Sequence, residues 1–258
     1  VSAALPPCRV VVPARRLDAD GQHPREEVLA GETAVALLYN GAAFAVMMAT
    51  PADLEDFAVG FSVSEGIVAA ATDVAVVDVM ALEAGISLQM RIPQAAHDAL
   101  AGRGRNLAGR GGCGLCGTDT LEAAIRPVRR VARRSLPDDR LAPQFAALHA
   151  AQVLNAETGA VHAAAVLDGD GGLHVREDVG RHVAVDKAIG ACLRVGAEPC
   201  ALLVTSRAGY EVVHKAAQAG IGLVAAISAP TALAVRLAHE AGMALAGFAR
   251  DGRCTLYA

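Results

Sequence analysis

The chain of 258 residues has no tryptophan, and only 3% of it is aromatic. Its apolar residues, 53% of the total and rich in Ala and Val, can still bury a substantial core as one large domain or two closely packed ones. No apolar run reaches the roughly 18 residues of a membrane span. The longest candidate, 34–49, is interrupted by Asn40-Gly41. A basic excess is missing too: 23 Lys and Arg stand against 27 Asp and Glu, which gives no pull toward nucleic acid or a membrane surface. Any anion site must therefore be local. Six cysteines, four of them isolated, do not form a secreted disulfide framework, so a reducing, cytoplasmic setting is expected. The first residues lack a basic region followed by an apolar one, and no secretory leader is expected.

What the chain does have is Arg110-Gly111-Gly112-Cys113-Gly114-Leu115-Cys116-Gly117, two cysteines with glycines crowded around them. Glycine permits positive φ and removes the side chains that would shield a thiol, so this is a sequence for exposed sulfur chemistry. Three chemistries use the spacing. A zinc site needs two more ligands, yet Cys8, Cys192, Cys200 and Cys254 form no second close pair. A thioredoxin-type redox site wants the pair at a helix N-terminus after a strand, whereas here the Gly/Arg-rich stretch 101–109 precedes it. The third is a sulfur carrier, in which one thiolate takes up sulfane sulfur as a persulfide.

Along the chain, 33–39 and 42–48 flank Asn40-Gly41, the strongest hairpin signal present. Thr50-Pro51-Ala52-Asp53 reads as an N-cap, a first-position Pro and a carboxylate at N3. Leu54, Phe57, Ala58 and Phe61 then fall on one buried helix face. Strands are predicted over 74–79 and 86–92, and a short helix over 94–101. After the cysteines, Thr118 or Asp119 can cap a helix. Arg126, Arg129, Arg130, Arg133, Arg134 and Arg140 follow at helical spacing and could share a face for phosphates or an acidic partner. Pro127, Pro137 and Pro143 bracket them, which suits a solvated linker instead.

From 141 onward strands and helices alternate. Helices are predicted over 145–155, 184–193, 210–219 and 231–241, and strands over 159–167, 173–175, 201–205, 222–227 and 243–248. That order implies a parallel or mixed sheet covered by helices. The expected division is a β-rich part with a helix and the cysteine loop, 1–140, followed by an α/β core, 141–258. In such sheets ligands bind beyond the carboxyl ends of the strands. There the chain offers Arg176, Glu177, Asp178, Gly180, Arg181 and His182, then Thr205, Ser206 and Arg207, then Ser228 and Thr231, then Arg250 and Arg253. An anionic, phosphate-bearing small molecule fits such donors. Asp186 and Lys187 also fit a plain pair on a helix surface, and Ser228 a plain helix cap.

Several strings resemble the FdhD/NarQ family of formate dehydrogenase accessory sulfurtransferases. They are YNG at 39–41, VMMATPADLEDFAVGFSVSEGI at 46–67, CGLCG at 113–117, TGAVHAAA at 158–165, REDVGRHVAVDK at 176–187, SAPTALAV at 228–235 and GFARDGR at 247–253. Singly, CxxC and SAPT are unspecific, but in this order the set covers most of the chain. Val183, Thr205-Ser206 and Gly111-Gly112 depart from the residues usual in the family.

The resemblance implies a cytidine deaminase-like α/β core, a mixed sheet flanked by helices with an N-terminal β-rich subdomain, working as a homodimer. It implies loading by a cysteine desulfurase and delivery of sulfur to the molybdenum or tungsten bis-guanine-dinucleotide cofactor of formate dehydrogenase, bound as substrate with no intrinsic metal. It makes Cys113 the persulfide carrier with Cys116 beside it, and Phe248, Ala249, Arg250, Asp251, Gly252 and Arg253 a cofactor-contacting stretch. Phe can stack on guanine, and Arg can fork onto phosphates. A chaperone that presents the cofactor without moving sulfur uses the same residues except the cysteines. A hydrolytic zinc deaminase needs His-x-Glu before Pro-Cys-x-x-Cys. Here His162-Ala163-Ala164 follows the CxxC and lacks both the Glu and the Pro.

Overall fold

The computed structural model describes residues 4–100, 126–134, 141–250 and 252–258. Near its start β1 (Arg9–Asp18) and β2 (Gly21–Ala30) pair along their whole length as a two-stranded antiparallel ribbon. Its sequence offers only the short apolar run Val10-Val11-Val12. The ribbon buries little on either face, so it lacks the alternation that marks a strand packed on a core.

The next four strands, β3 (Thr33–Tyr39), β4 (Ala42–Ala49), β5 (Ala75–Leu82) and β6 (Gly85–Arg91), form a sheet in the order β4-β3-β6-β5. Asn40 and Gly41 turn the β3–β4 hairpin at φ 49 and 86, the left-handed pair that a two-residue turn requires. Asn40 also brackets Ile92, donating to its carbonyl at 3.1 Å and accepting from its N–H at 2.9 Å. Between β4 and β5 runs α1 (Leu54–Ser64), and after β6 comes a short α2 (Gln94–Asp98). The predicted face of Leu54, Phe57, Ala58 and Phe61 packs with Val35, Leu37, Ile86 and Leu88 in one core.

The capping expectation at Thr50 is overturned. Helix α1 begins at Leu54, and Asp53 at its N-cap is left-handed, at φ 52, with no side-chain cap bond. Thr50 is buried and bonds to distant chain instead. Its N–H donates to Asp178 Oδ2 at 2.9 Å, its hydroxyl accepts from the Val179 N–H at 3.2 Å, and its carbonyl accepts from Lys187 Nζ at 2.9 Å. Three tertiary bonds outweigh one local cap.

The second half contains α3 (Leu141–Ala150), α4 (Val153–Thr158), β7 (His162–Asp168), β8 (Leu173–Asp178), α5 (Arg181–Arg194), β9 (Pro199–Val204), α6 (Tyr210–Gln218), β10 (Leu223–Ala226), α7 (Ala232–Ala241), β11 (Ala244–Arg250) and β12 (Arg253–Leu256). The single helix predicted over 145–155 is thus two. Its six strands run in the order β12-β11-β10-β9-β7-β8, with β9, β10 and β11 parallel and the others antiparallel to their neighbours. Residues of α5, α6 and α7 pack on one face through Ala164, Val166, Leu202, Val204, Val224 and Leu245. Phe145 and Leu148 of α3 cover the other face over Ala163, Ala165, Leu203 and Ala225. The Arg-rich residues 126–134 are not helical. They run along the core without regular secondary structure, bonded by Val131 to Ala241 and by Arg134 to Gly222, and Val128 and Val131 pack on it. Neither the shared helical face nor a free solvated linker describes these residues, since Arg126 pairs with Glu65 and the two valines are packed; Arg140 lies outside the described residues.

The halves meet where α1 crosses α5 at Gly60 and Gly190. A Cβ on Gly60 would sit 1.7 Å from the Asp186 carbonyl oxygen, and one on Gly190 would sit 1.9 Å from that of Asp56. Two helix backbones touch there. Among the described residues no helix is long and apolar enough to cross a membrane.

Candidate functional site

Because β7 runs against β9 and β8 runs with it, the start of β7 and the ends of β8, β9, β10 and β11 lie along one edge of the large sheet. Backbone bonds tie the loops of that edge together. The Thr205 N–H donates to the Ala163 carbonyl, Ile227 to Val204, Thr231 to Ala208, and Phe248 to Ser228. Gly180, Arg181, His182, Ser206, Arg207, Ser228, Thr231, Phe248, Ala249 and Arg250 are therefore all on this edge or in its loops. Thr231 is the N-cap of α7, with its hydroxyl accepting from the Ala234 N–H at 3.2 Å. The Ser206 hydroxyl donates to the Arg207 carbonyl at 3.1 Å, and Arg207 is exposed.

Two of the expected ligand residues have other work. Asp178 is fully buried; Lys187 Nζ is 2.7 Å from its Oδ2, while the N–H groups of Thr50 and Gly180 donate to its two oxygens. Burial pushes this carboxyl up, against the pull of Lys187 and the backbone donors. Arg176 places its guanidinium 2.7 Å from Asp56 and 3.5 Å from Asp53, at the start of α1. Asp178, fully buried and satisfied, holds the joint between the halves rather than meeting a ligand, which corrects the expectation for it, while Arg176 ties β8 to the start of α1 and stays part exposed. Cys113, Cys116 and Asp251 lie outside the described residues.

At the far end of the edge, Arg250, Gly252 and Arg253 line a cleft of about 260 Å³, closed on its other side by Phe145 and His149 of α3. Gly252 takes φ 71 in the turn between β11 and β12. Phe248 is exposed at φ 51, a conformation that a bulky side chain adopts only under constraint. The constraint is visible. Gly247 is pressed so closely on Pro230 that a Cβ there would lie 2.7 Å from its Cδ, and the ladder with β12 shifts register between Gly247 and Arg250. The chain thus holds an aromatic ring out in solvent on the strand that leads into the cleft.

On the helix-covered side of the same edge, His182 Nε2 lies 2.6 Å from Glu211 Oε2. His162, the first residue of β7, is close by. Its own burial, then Arg181 and His182, hold its ring below the usual histidine value. In the sequence His162 stands in the TGAVHAAA string without an assigned role, and Glu211 stands out in no motif. One acidic residue in the first turn of a helix carries no distinguishing signal.

Ser64, Glu65, Lys215 and Asp186, equally unforeseen, make a second buried charge cluster behind the edge. Lys215 Nζ reaches Asp186 at 2.8 Å, Glu65 at 2.7 Å and the Ser64 hydroxyl at 3.2 Å. Arg126 closes the cluster on Glu65 at 2.8 Å, while its N–H donates to the Tyr210 hydroxyl at 2.9 Å. Two of the other thiols do not suit sulfur transfer by their surroundings: burial pushes Cys192 up to about 12 and raises Cys200. Among the described residues no group of three or more His, Cys, Asp or Glu could hold a metal ion.

The FdhD/NarQ family model matches residues 30–258. The chain belongs to the FdhD/NarQ family. It is 52% identical over 261 aligned residues to the sulfur carrier protein FdhD of Xanthomonas euvesicatoria pv. vesicatoria, covering 99% of this chain and 92% of the relative. It is 53% identical over 236 residues to the protein of the same name from Cupriavidus necator, covering 89% and 81%. In fold it is similar to the crystal structure of a candidate formate dehydrogenase accessory protein from Desulfotalea psychrophila, at a TM-score of 0.76, with 97% of each chain covered and 22% identity. At that identity the likeness concerns the fold, a mixed α/β arrangement of several sheets flanked by helices.

Proposed function

We propose that this chain is a sulfur carrier that serves formate dehydrogenase. It accepts sulfur from a cysteine desulfurase on Cys113 and delivers it to a molybdenum or tungsten bis-guanine-dinucleotide cofactor bound as substrate at the strand ends. The observation that carries the reading is end-to-end similarity to proteins named as sulfur carriers, in a chain whose CGLCG stands at 113–117. The Cys113 thiolate attacks the outer sulfur of the desulfurase persulfide. A new S–S bond forms on Cys113 as the old one breaks, and the desulfurase cysteine leaves as thiolate, with no net oxidation. Attack by Cys116 on the loaded Cys113 would release sulfide and leave a Cys113–Cys116 disulfide, which a cellular thiol then reduces.

Phe248, Arg250 and Arg253 support the ligand half of the reading. An exposed ring offers a face to guanine, and guanidinium groups around the cleft suit phosphates. Gly180, Arg181, His182, Ser206, Arg207, Ser228 and Thr231 extend the same edge toward the rest of a long dinucleotide. We also take the fold to be cytidine deaminase-like, the working form to be a homodimer and the compartment to be the cytoplasm.

The test is an intact-mass spectrum after incubation with a cysteine desulfurase and cysteine. A reductant-labile gain of about 32 Da, one sulfur atom, that disappears in C113A is expected from an accessible thiolate. A wild-type chain that gains no sulfur while still binding the cofactor would be a chaperone and not a carrier.

A further inference from the structure

The carboxylates buried at the joint are well supplied with donors. Asp178 is met by Thr50, Gly180 and Lys187, Asp186 by Ser64 and Lys215, and Asp56 by Arg176 and Arg194. Glu211 is not. Its Oε2 meets His182 Nε2 at 2.6 Å, and its Oε1 is buried with no hydrogen-bond partner among the described residues. Leaving an oxygen of a buried carboxylate unpaired costs stability, so the needs of the fold do not account for this residue. What it does accomplish is local. His182 and Glu211 are each the second residue of their helices, α5 and α6, and His162 opens β7, so three elements bring these side chains to the edge where β8 and β9 end. Groups placed at a cost to the fold are characteristic of functional sites.

We infer that Glu211 is a positioning residue for ligand binding: its carboxylate accepts from His182 Nε2–H and fixes the ring, so that an imidazolium held between the carboxylate and the ligand turns its Nδ1–H, with His162 and Arg181, toward an anionic group of a nucleotide-bearing ligand. This rests on the strand-end ligand site proposed above and adds to it two residues, His162 and Glu211, that were not among its proposed contacts. The arrangement is that of a carboxylate behind a histidine, in which the outer group sets the orientation of the ring and the ring meets the ligand.

GDP is the probe, and the full chain is used throughout. In calorimetric titrations E211Q binds GDP about tenfold more weakly than the wild type, of the order of the difference between a charge-assisted and a neutral hydrogen bond behind the ring. Its melting temperature stays equal or rises, since a neutral amide loses less than a carboxylate by having one atom unpaired. GDP shifts the ring-nitrogen resonances of His162 and His182 in the wild type, and those shifts shrink in E211Q. Adding E211Q to H182A produces no further loss of affinity, as expected of two residues acting as one unit. If E211Q melts lower but binds GDP normally, Glu211 is structural and the inference is overturned. Losses that add in the double variant overturn it as well, as do GDP-induced ring shifts that survive in E211Q when affinity and melting temperature both fall. A wild-type chain with no affinity for GDP removes the ligand site itself, and this inference falls with it.

Discussion

Asp186 and Lys187 are neighbours in the sequence and belong to two different buried ion pairs. Asp186 holds Lys215 of α6, and Lys187 holds Asp178 of β8. Successive residues of a helix point about 100° apart, so one turn of α5 serves two contacts. The expectation of a surface pair is thereby corrected: both residues are fully buried, and the chain's two lysines, Lys187 and Lys215, are both inside. Through Thr50 and Ser64 the same pairs reach α1 and its entry, which ties the N-terminal sheet to the large one.

Removing one partner of such a pair leaves the other buried and uncompensated. K187M and K215M should each lose roughly 3–5 kcal/mol of stability, read as a lower urea midpoint. A loss below about 1 kcal/mol, the level of an exposed pair, would mean that water reaches these sites.

The crossing of α1 and α5 tolerates no side chain at its centre. G60A and G190A should each cost about 3 kcal/mol or more, because the new methyl meets backbone and not a side chain that can turn away. Soluble expression with an unchanged melting temperature would show that the helices can separate locally.

Acid should destabilise the protein in two stages. Burial, then the charge of Arg126, holds the His214 ring down at about 4 against its ordinary 6.5, so between these values the unfolded chain binds a proton that the folded chain refuses. Burial alone would raise Glu65, but Lys215 and Arg126 hold it at about 2 against its ordinary 4.5, with the same consequence between 4.5 and 2. In both windows the unfolded state carries more protons, so stability rises with pH. The two contributions are on the order of 3 kcal/mol each. Urea midpoints measured from pH 7 down to pH 4 should fall, and H214Q should flatten the upper part of that slope.

At the cleft, the R250A/R253A variant should lose at least about tenfold in GDP affinity if the arginines hold phosphate. F248G should also bind GDP more weakly yet melt no lower, because glycine adopts φ 51 without the strain of about 1–3 kcal/mol borne by a bulky residue. Unchanged affinity in both variants would move the nucleotide elsewhere on the edge.

Much of the architecture was legible because it is written in local patterns. Asn40-Gly41 specifies its turn by backbone conformation alone, the apolar face of α1 by its period, and the βα alternation after residue 158 by the regular change of period. The ribbon β1–β2 escaped because a strand exposed on both faces has no period to read. The Thr50 cap failed because its donor and acceptor groups found partners 128, 129 and 137 residues away. The arginine stretch was ambiguous in sequence, since helical spacing and proline brackets point in opposite directions, and only the structure shows it non-helical and bonded to the end of α7 and the residue before β10.

By itself, then, the sequence determined the kinds of elements, their order and the family, because short-range backbone preference and apolar period do not depend on what lies across the fold. Only the tertiary structure decided which charged residues are spent inside. Asp178, Asp186 and Lys187 look from their neighbours like ligand groups or a solvated pair, and Glu211 looks like nothing in particular. Their work depends on burial and on partners brought in from other elements, and a one-dimensional pattern carries neither.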